Sequence, residues 1–225
     1  MFIYRTQQGF TLLETIIAIS IILVGLLSIL ALSTSSLLVS GVTSDEFLAA
    51  NFAREGMEVV RSVRDSNWLA YDTDSTTAWN NQLFEVTGSG SDYTSIVALQ
   101  DFSTTGQYLW FGPNKIGDTC AGVGGVIYDC TAIWYDPDQQ LYFQTQAVDF
   151  DPSAYTQTNF SRLVTTSPLC RLDSDETVEV VESSGTCAIG YTQVGIDVIV
   201  QVQWPGRAAS AALYSLEEYL YDWKY

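Results

Sequence analysis

The pattern of apolar and polar positions divides the chain into three regimes. From Phe10 to Val42 it is almost unbroken apolar. Ile, Leu, Ala and Val dominate, no Pro intervenes, Gly25 is the only glycine before Gly41, and Glu14 is the only ionisable side chain. About 20 apolar residues suffice to cross a bilayer, and this run is longer. Backbone groups in lipid must bond to one another, which predicts a helix. Arg5 is the only charge ahead of the run. That predicts Met1–Gly9 on the cytoplasmic side and Gly41–Tyr225 outside.

From Ser44 the spacing changes. In SDEFLAANFAREGMEVVRSVRDSNW, Leu48, Phe52, Val59, Val60 and Val63 recur close to the helical period. Nothing between Val39 and Ser44 forces a break. One continuous helix from Phe10 to about Arg64 is therefore expected, on the order of 80 Å long. Arg54, Glu55, Glu58, Arg61 and Arg64 offer i,i+3 and i,i+4 pairs on a solvated face. Gly56 weakens the helix slightly and allows close packing. The apolar stripe is expected to lie under a sheet.

Trp68–Gln107 is polar, with a turn signal in TGSGSD from Thr87 and short strands expected at Leu83–Val86 and Tyr93–Leu99. QYLWF from Gln107, VIYDCTAIWY from Val126, QQLYFQTQAV from Gln139 and FSRLVTTSPLC from Phe160 read as strands. The clearest strand is YTQVGIDVIVQVQW. Val194, Ile196, Val198, Val200, Val202 and Trp204 alternate onto one face, expected to be buried, while Gln193, Asp197, Gln201 and Gln203 take the other, expected to be wet. PGR at Pro205 predicts a turn, and AASAALYSLEEYLYDWKY a returning strand. The expected fold class is α+β: a long N-terminal helix, membrane-spanning in its first half, packed on an antiparallel β-sheet head. The expected division is 1–9, 10–42 (membrane span), 43–67 (amphipathic continuation) and 68–225 (head).

Composition narrows the chemistry. Of 225 residues, about 180 lie beyond the membrane run, enough for one domain with its own core. A formal net charge of −17 argues against direct binding of nucleic acid. The absence of histidine removes Ser-His-Asp triads, Cys-His dyads and HExxH zinc sites together. No catalytic residue, cofactor or metal ligand is assigned, and an enzyme is not expected. Cys120, Cys130, Cys170 and Cys187 all lie on the outward side. They suggest two disulfides in one of three pairings, the simplest being Cys120–Cys130 and Cys170–Cys187. GVGG at Gly122 lacks a phosphate-loop spacing and reads as a loop between cysteines. DPDQQ at Asp136, DFDP at Asp149 and DSDE at Asp173 match no EF-hand and read as acidic turns. NFS at Asn159 fits a glycosylation acceptor, and Trp110, Trp134 and Tyr225 are weighed as core aromatics against a binding patch.

Glu14 remains to be explained. A carboxylate near the centre of a membrane helix costs about 2.5–3.5 kcal/mol, less near an end. Such a group wants a partner, and the run supplies no Lys, Arg or His. An α-amino group would serve if the chain were cut before Phe10. Phe10 and Glu14 stand four apart on one helix face.

QQGFTLLETIIAISIIL resembles the class III signal of type IV prepilins and pseudopilins. The resemblance implies cleavage after Gly9 by a prepilin peptidase, N-methylation of Phe10, and a role for Glu14 in subunit assembly. AREGMEVVRSVRDSNW and the VxVxW–turn–L…YLYDW pattern at the C-terminus resemble PilV-type minor pilins. Ala31 stands where many major pilins carry a kinking Pro, which favours a straighter helix and a minor pilin. No resemblance is drawn for residues 71–151. The implied partners are other pilin subunits, the prepilin peptidase/N-methyltransferase, an inner-membrane assembly platform, and membrane lipid before assembly. The implied location is the inner membrane, then an extracellular pilus or periplasmic pseudopilus. The competing readings are a type II secretion pseudopilin and a signal-anchored adhesin or binding module that never polymerises. An ordinary signal peptide, cut near Ala31–Ser33, fits poorly because the apolar run is too long and carries Glu14.

Overall fold

The computed structural model describes residues 11–70, 79–80, 83, 94–98, 108–111, 116–117, 119–121, 125–144, 150–182, 186–206 and 210–222. One α-helix, α1 (Leu12–Ala70), is continuous across the junction of the two apolar patterns. It runs past the expected end at Arg64. No Pro or Gly follows Gly56 within it, and the partly buried Trp68 packs against the core and holds the last turn.

The chain forms two compact units, Met1–Asp45 and Glu46–Tyr225. In the first, residues 11–41 are all exposed. The second contains the rest of α1 and the strands. In chain order the strands are β1 (Thr94–Ala98), β2 (Tyr108–Phe111), β3 (Thr119–Ala121), β4 (Ile127–Asp129), β5 (Ala132–Asp136), β6 (Leu141–Phe143), β7 (Thr156–Leu172), β8 (Asp175–Val181), β9 (Tyr191–Pro205) and β10 (Ala211–Tyr221). Among the described residues the main sheet runs β10-β9-β7-β1-β2, with β5 and β8 also paired to β7 and β6 to β5, while β3 and β4 pair separately. All these pairings are antiparallel. The architecture is therefore the expected α+β arrangement.

Period-two alternation builds the centre of the sheet. Val194, Ile196, Val198, Val200, Val202 and Trp204 of β9 are all buried. They meet Ala49, Phe52, Ala53, Met57, Val60 and Val63 of α1, with Val164, Leu83 and Leu220 completing the core. Leu48, expected in the apolar stripe, is instead exposed. Ala49, Ala53 and Gly56 make the contact face of this part of α1 shallow. A Cβ at Gly56 would stand 3.1 Å from Val200 Cγ1 and 3.2 Å from Arg162 Cδ. The bare backbone there lets helix and sheet approach.

A second, smaller cluster is aromatic. Tyr128, Trp134, Phe143 and Phe150 are buried together, with Phe150 stacked on Tyr155 at a centroid distance of 5.4 Å. Trp134 is thus a core residue.

Several expected strands differ in detail. The stretch from Val126 is broken at Cys130–Thr131, where Asp129 Oδ1 accepts the Thr131 N–H at 2.8 Å and its hydroxyl at 2.6 Å. This side-chain turn separates β4 from β5. Leu83 lies in a bend, its N–H donating to the Asn80 carbonyl at 3.1 Å, and 84–86 lie outside the described residues. β3 and β8 carry no clear alternation and were not expected. β8 is exposed throughout and is held by pairing with β7 and by the Arg171–Glu179 ion pair at 3.0 Å. The expected Cys170–Cys187 disulfide is present and encloses β8. Cys130 is also disulfide-bonded. The side chain of Cys120, its expected partner, lies outside the described residues.

Two stability outcomes follow from this packing. Gly56→Val should cost about 1–3 kcal/mol by overpacking, because Val200 and Arg162 are both fully enclosed. Removing the Cys170–Cys187 bridge by a double Ser substitution should cost about 3 kcal/mol, from the loop it closes. Urea denaturation of the detergent-solubilised protein measures both, and an unchanged midpoint in either variant would contradict the contact concerned.

Candidate functional site

The start of α1 is built by its own sequence. Thr11 stands just before the helix. Its Oγ1 accepts the Glu14 N–H at 3.3 Å, and its carbonyl accepts the Thr15 N–H at 3.2 Å. Thr11 is thus the N-cap, satisfying one of the helix's free N–H groups. The Thr-Leu-Leu-Glu spacing is that of a capping box, a signal which a reading by hydrophobic pattern passes over. Glu14 falls in the first turn, where the positive end of the helix dipole favours a carboxylate. Among the described residues it enters no ion pair. Gly9 and Phe10 lie outside the described residues.

Around and beyond Glu14 the helix surface is mostly apolar, and several of its hydroxyls bond back to the helix. Thr15 donates to the Leu12 carbonyl, Ser20 to Ile16, Ser28 to Val24, Thr34 and Ser35 to Ala31, and Thr43 to Val39, at 2.8–3.1 Å. Such back-bonding satisfies these donors without water. Leu12, Ile21, Leu27, Ile29 and Leu32 are each more than 60% exposed. Among the described residues this is the one helix long and apolar enough to cross a membrane. An uncovered apolar surface of this extent calls for lipid or for other helices.

In the head, two arginines tie α1 to the sheet. Arg162 of β7 is buried. Its Nη1 donates to the Phe52 carbonyl at 3.0 Å and meets Glu55 Oε2 at 3.3 Å, while its Nε donates to Gln144 Oε1 at 3.1 Å. Burial pushes the guanidinium down from its ordinary value, and Glu55 opposes that shift. Gln144, also buried, donates to the Thr131 carbonyl at 2.9 Å and the Arg162 carbonyl at 2.7 Å. Arg61 of α1 pairs with Glu58 and with Glu218 of β10. The hydrogen bond that Arg61 donates to Glu218 is the main cause of its raised pKa, against some desolvation.

The face of β9 expected to be wet contains a buried carboxylate. Asp197 is only 5% exposed. It lies between Ser167 of β7 and Tyr219 of β10, and its Oδ1 has no hydrogen-bond partner among the described residues. The neighbouring strands cover what alternation alone leaves open. Burial pushes this carboxyl above the ordinary aspartate range, and the Glu217 carboxylate adds to the shift. Tyr219 donates to Glu217 at 3.0 Å, and that bond is the main cause of its own raised pKa.

The acidic clusters close turns. Asp136 Oδ1 accepts the N–H groups of Asp138 and Gln139, at 2.8 and 3.1 Å. Asp151 accepts from Ser153 and Asp175 from Thr177, and these bonds lower both carboxyl pKa values. No group of three or more potential metal ligands occurs among the described residues. Asn159 is exposed. Tyr225 and the Trp110 side chain lie outside the described residues.

Residues 4–30 match the family described as the prokaryotic N-terminal methylation motif. The match takes in Gly9, Phe10, Thr11 and Glu14 and supports a type IV pilin-like or pseudopilin-like protein, a class of structural subunits. Neither the curated proteins nor the solved structures yield a match.

The Asp197 environment makes a pH-dependent prediction. A carboxyl whose pKa is raised on folding weakens the fold as pH climbs from the unfolded value, 3.8, through the folded one. Asp197→Asn should therefore raise Tm at neutral pH by about 2–4 °C. The gain should fade as pH falls through the folded value and below 3.8, where both states of the wild type become protonated. Thermal melts across that range check it. A variant with no advantage at neutral pH would show that the carboxylate is compensated.

Proposed function

We propose that this chain is a minor pilin, of the PilV type, in a type IV pilus-like filament. The observation that carries the reading is the coincidence, at one helix start, of the methylation motif over residues 4–30 with an uncovered apolar helix and a first-turn carboxylate that enters no ion pair among the described residues. Residues 1–9 are the leader, 10–42 the span and later filament core, 43–67 the amphipathic continuation and 68–225 the head. Before assembly the protein crosses the inner membrane once, with Met1–Gly9 in the cytoplasm.

The mechanism is assembly. The peptidase removes the leader after Gly9, and Phe10 becomes an N-methylated, positively charged terminus. That amine supplies the cation Glu14 lacks, within one subunit or between neighbours. In lipid Glu14 costs free energy, eased by the dipole of α1. Between packed helices it regains it by pairing with an amine, which favours one axial register, as buried polar groups do in some coiled coils. The assembly platform presents the subunit, and the other pilins cover the apolar surface. A type II secretion pseudopilin would use the same N-terminal chemistry, and the two are separated by which filament contains the protein.

Mass spectrometry of the native protein tests the pathway. The expected mature chain begins at methylated Phe10. Glu14→Ala is expected to be cleaved normally and yet be depleted at least tenfold from sheared filaments. A chain that keeps Met1, or is cut near Ser33, would instead indicate an anchored or secreted binding domain.

A further inference from the structure

A cavity of about 340 Å³ opens where the β7–β9 ladder stops. The ladder runs from Leu172↔Tyr191 to Ser161↔Gln203. β9 then ends at Pro205, which has no N–H to continue it, while β7 extends on to Thr156. Asn159 and Ser161 form the β7 wall, and Gln203, Trp204 and Pro205 form the β9 wall. Gly206, Ser210 and Ala211 close the end. The Gly206 N–H donates to the Ser210 carbonyl at 3.0 Å, and a Cβ at Gly206 would clash with that same oxygen. The turn therefore requires glycine there.

The lining is unusual for this chain. The chain carries a net charge of −17, yet none of the described lining residues is ionisable. The Asn159, Gln203 and Ser210 side chains make no hydrogen bond among the described residues, while Ser161 donates to Asp129 Oδ2 at 3.3 Å. Two amides each present a donor and an acceptor, the Ser210 hydroxyl does both, and Ser161, its hydrogen engaged by Asp129, accepts only. Pro205 and Ala211 add apolar surface. Uncharged groups that donate and accept, beside apolar patches, complement a ligand of hydroxyls and C–H faces. The volume lies at the low end of small-molecule sites, about 300–1,000 Å³, and suits one or two sugar rings.

We propose that this cavity is a binding subsite for a neutral saccharide, held by the Asn159 and Gln203 amides. The proposal is independent of whether the chain polymerises. Among the described residues neither amide has a hydrogen-bond partner, so replacing both is expected to leave the fold intact.

The test uses the full chain in detergent micelles and saturation-transfer NMR with lactose, maltose and diacetylchitobiose, with 3′-sialyllactose as the charged comparison. At least one neutral sugar should show transfer from the protein. Asn159→Ala combined with Gln203→Ala should weaken it at least tenfold with an unchanged melting curve. No transfer from any neutral sugar at about 10 mM (far weaker than a 1 mM Kd), equal transfer in the double variant, or transfer from 3′-sialyllactose alone would overturn the proposal.

Discussion

The head depends on one close approach, that of α1 to the sheet at Gly56. Because position 56 carries no side chain, Val200 can reach the helix backbone and the Arg162 stem can pass beside it. Arg162 then reaches the Phe52 carbonyl, four residues earlier on the same helix. A buried guanidinium is costly unless its donors are met. Here a helix carbonyl, Glu55 and Gln144 meet them, and Gln144 in turn bonds the carbonyls of Thr131 and Arg162. A single glycine thus links the packing of the aliphatic core to a polar network that ties α1, β7 and the Cys130–Thr131 turn together.

The first half of α1 follows the opposite logic. The hydroxyls of Thr15, Ser20, Ser28, Thr34 and Ser35 are spent on its own carbonyls, its surface is mostly apolar, and none of its described side chains up to Val39 is buried. Glu14 is the one ionisable side chain between Phe10 and Val42. Its place in the first turn, capped by Thr11, gives it the favourable end of the helix dipole. A dipole is a partial answer to a full charge in lipid. The proposed assembly mechanism rests on that residual imbalance.

The acidity of the head is distributed with local purpose. Asp129, Asp136, Asp151 and Asp175 close turns through their own carboxylates. Asp197 has no such role, being trapped between β7 and β10 beside Glu217. Against this background the cavity beside Pro205 stands out by its neutral amides and hydroxyls.

The sequence by itself determined the elements whose signals are local or periodic. The apolar run, the helix continuous from it to at least Arg64, the alternation of β9 and the end of that strand at Pro205 are written in neighbouring residues, and the structure follows them. The spacing of Gly9, Phe10 and Glu14 is likewise a property of sequence alone. The tertiary structure decided what depends on strands distant in sequence becoming neighbours. Asp197 and Arg162 look like surface residues until β10 and α1 cover them. β8 lacks an apolar face, and pairing with β7 makes it a strand. Gly56 reads as a helix defect until Val200 arrives 3.1 Å from the place its Cβ would take. Periodicity records which way a side chain points, whereas burial is set by what packs against it.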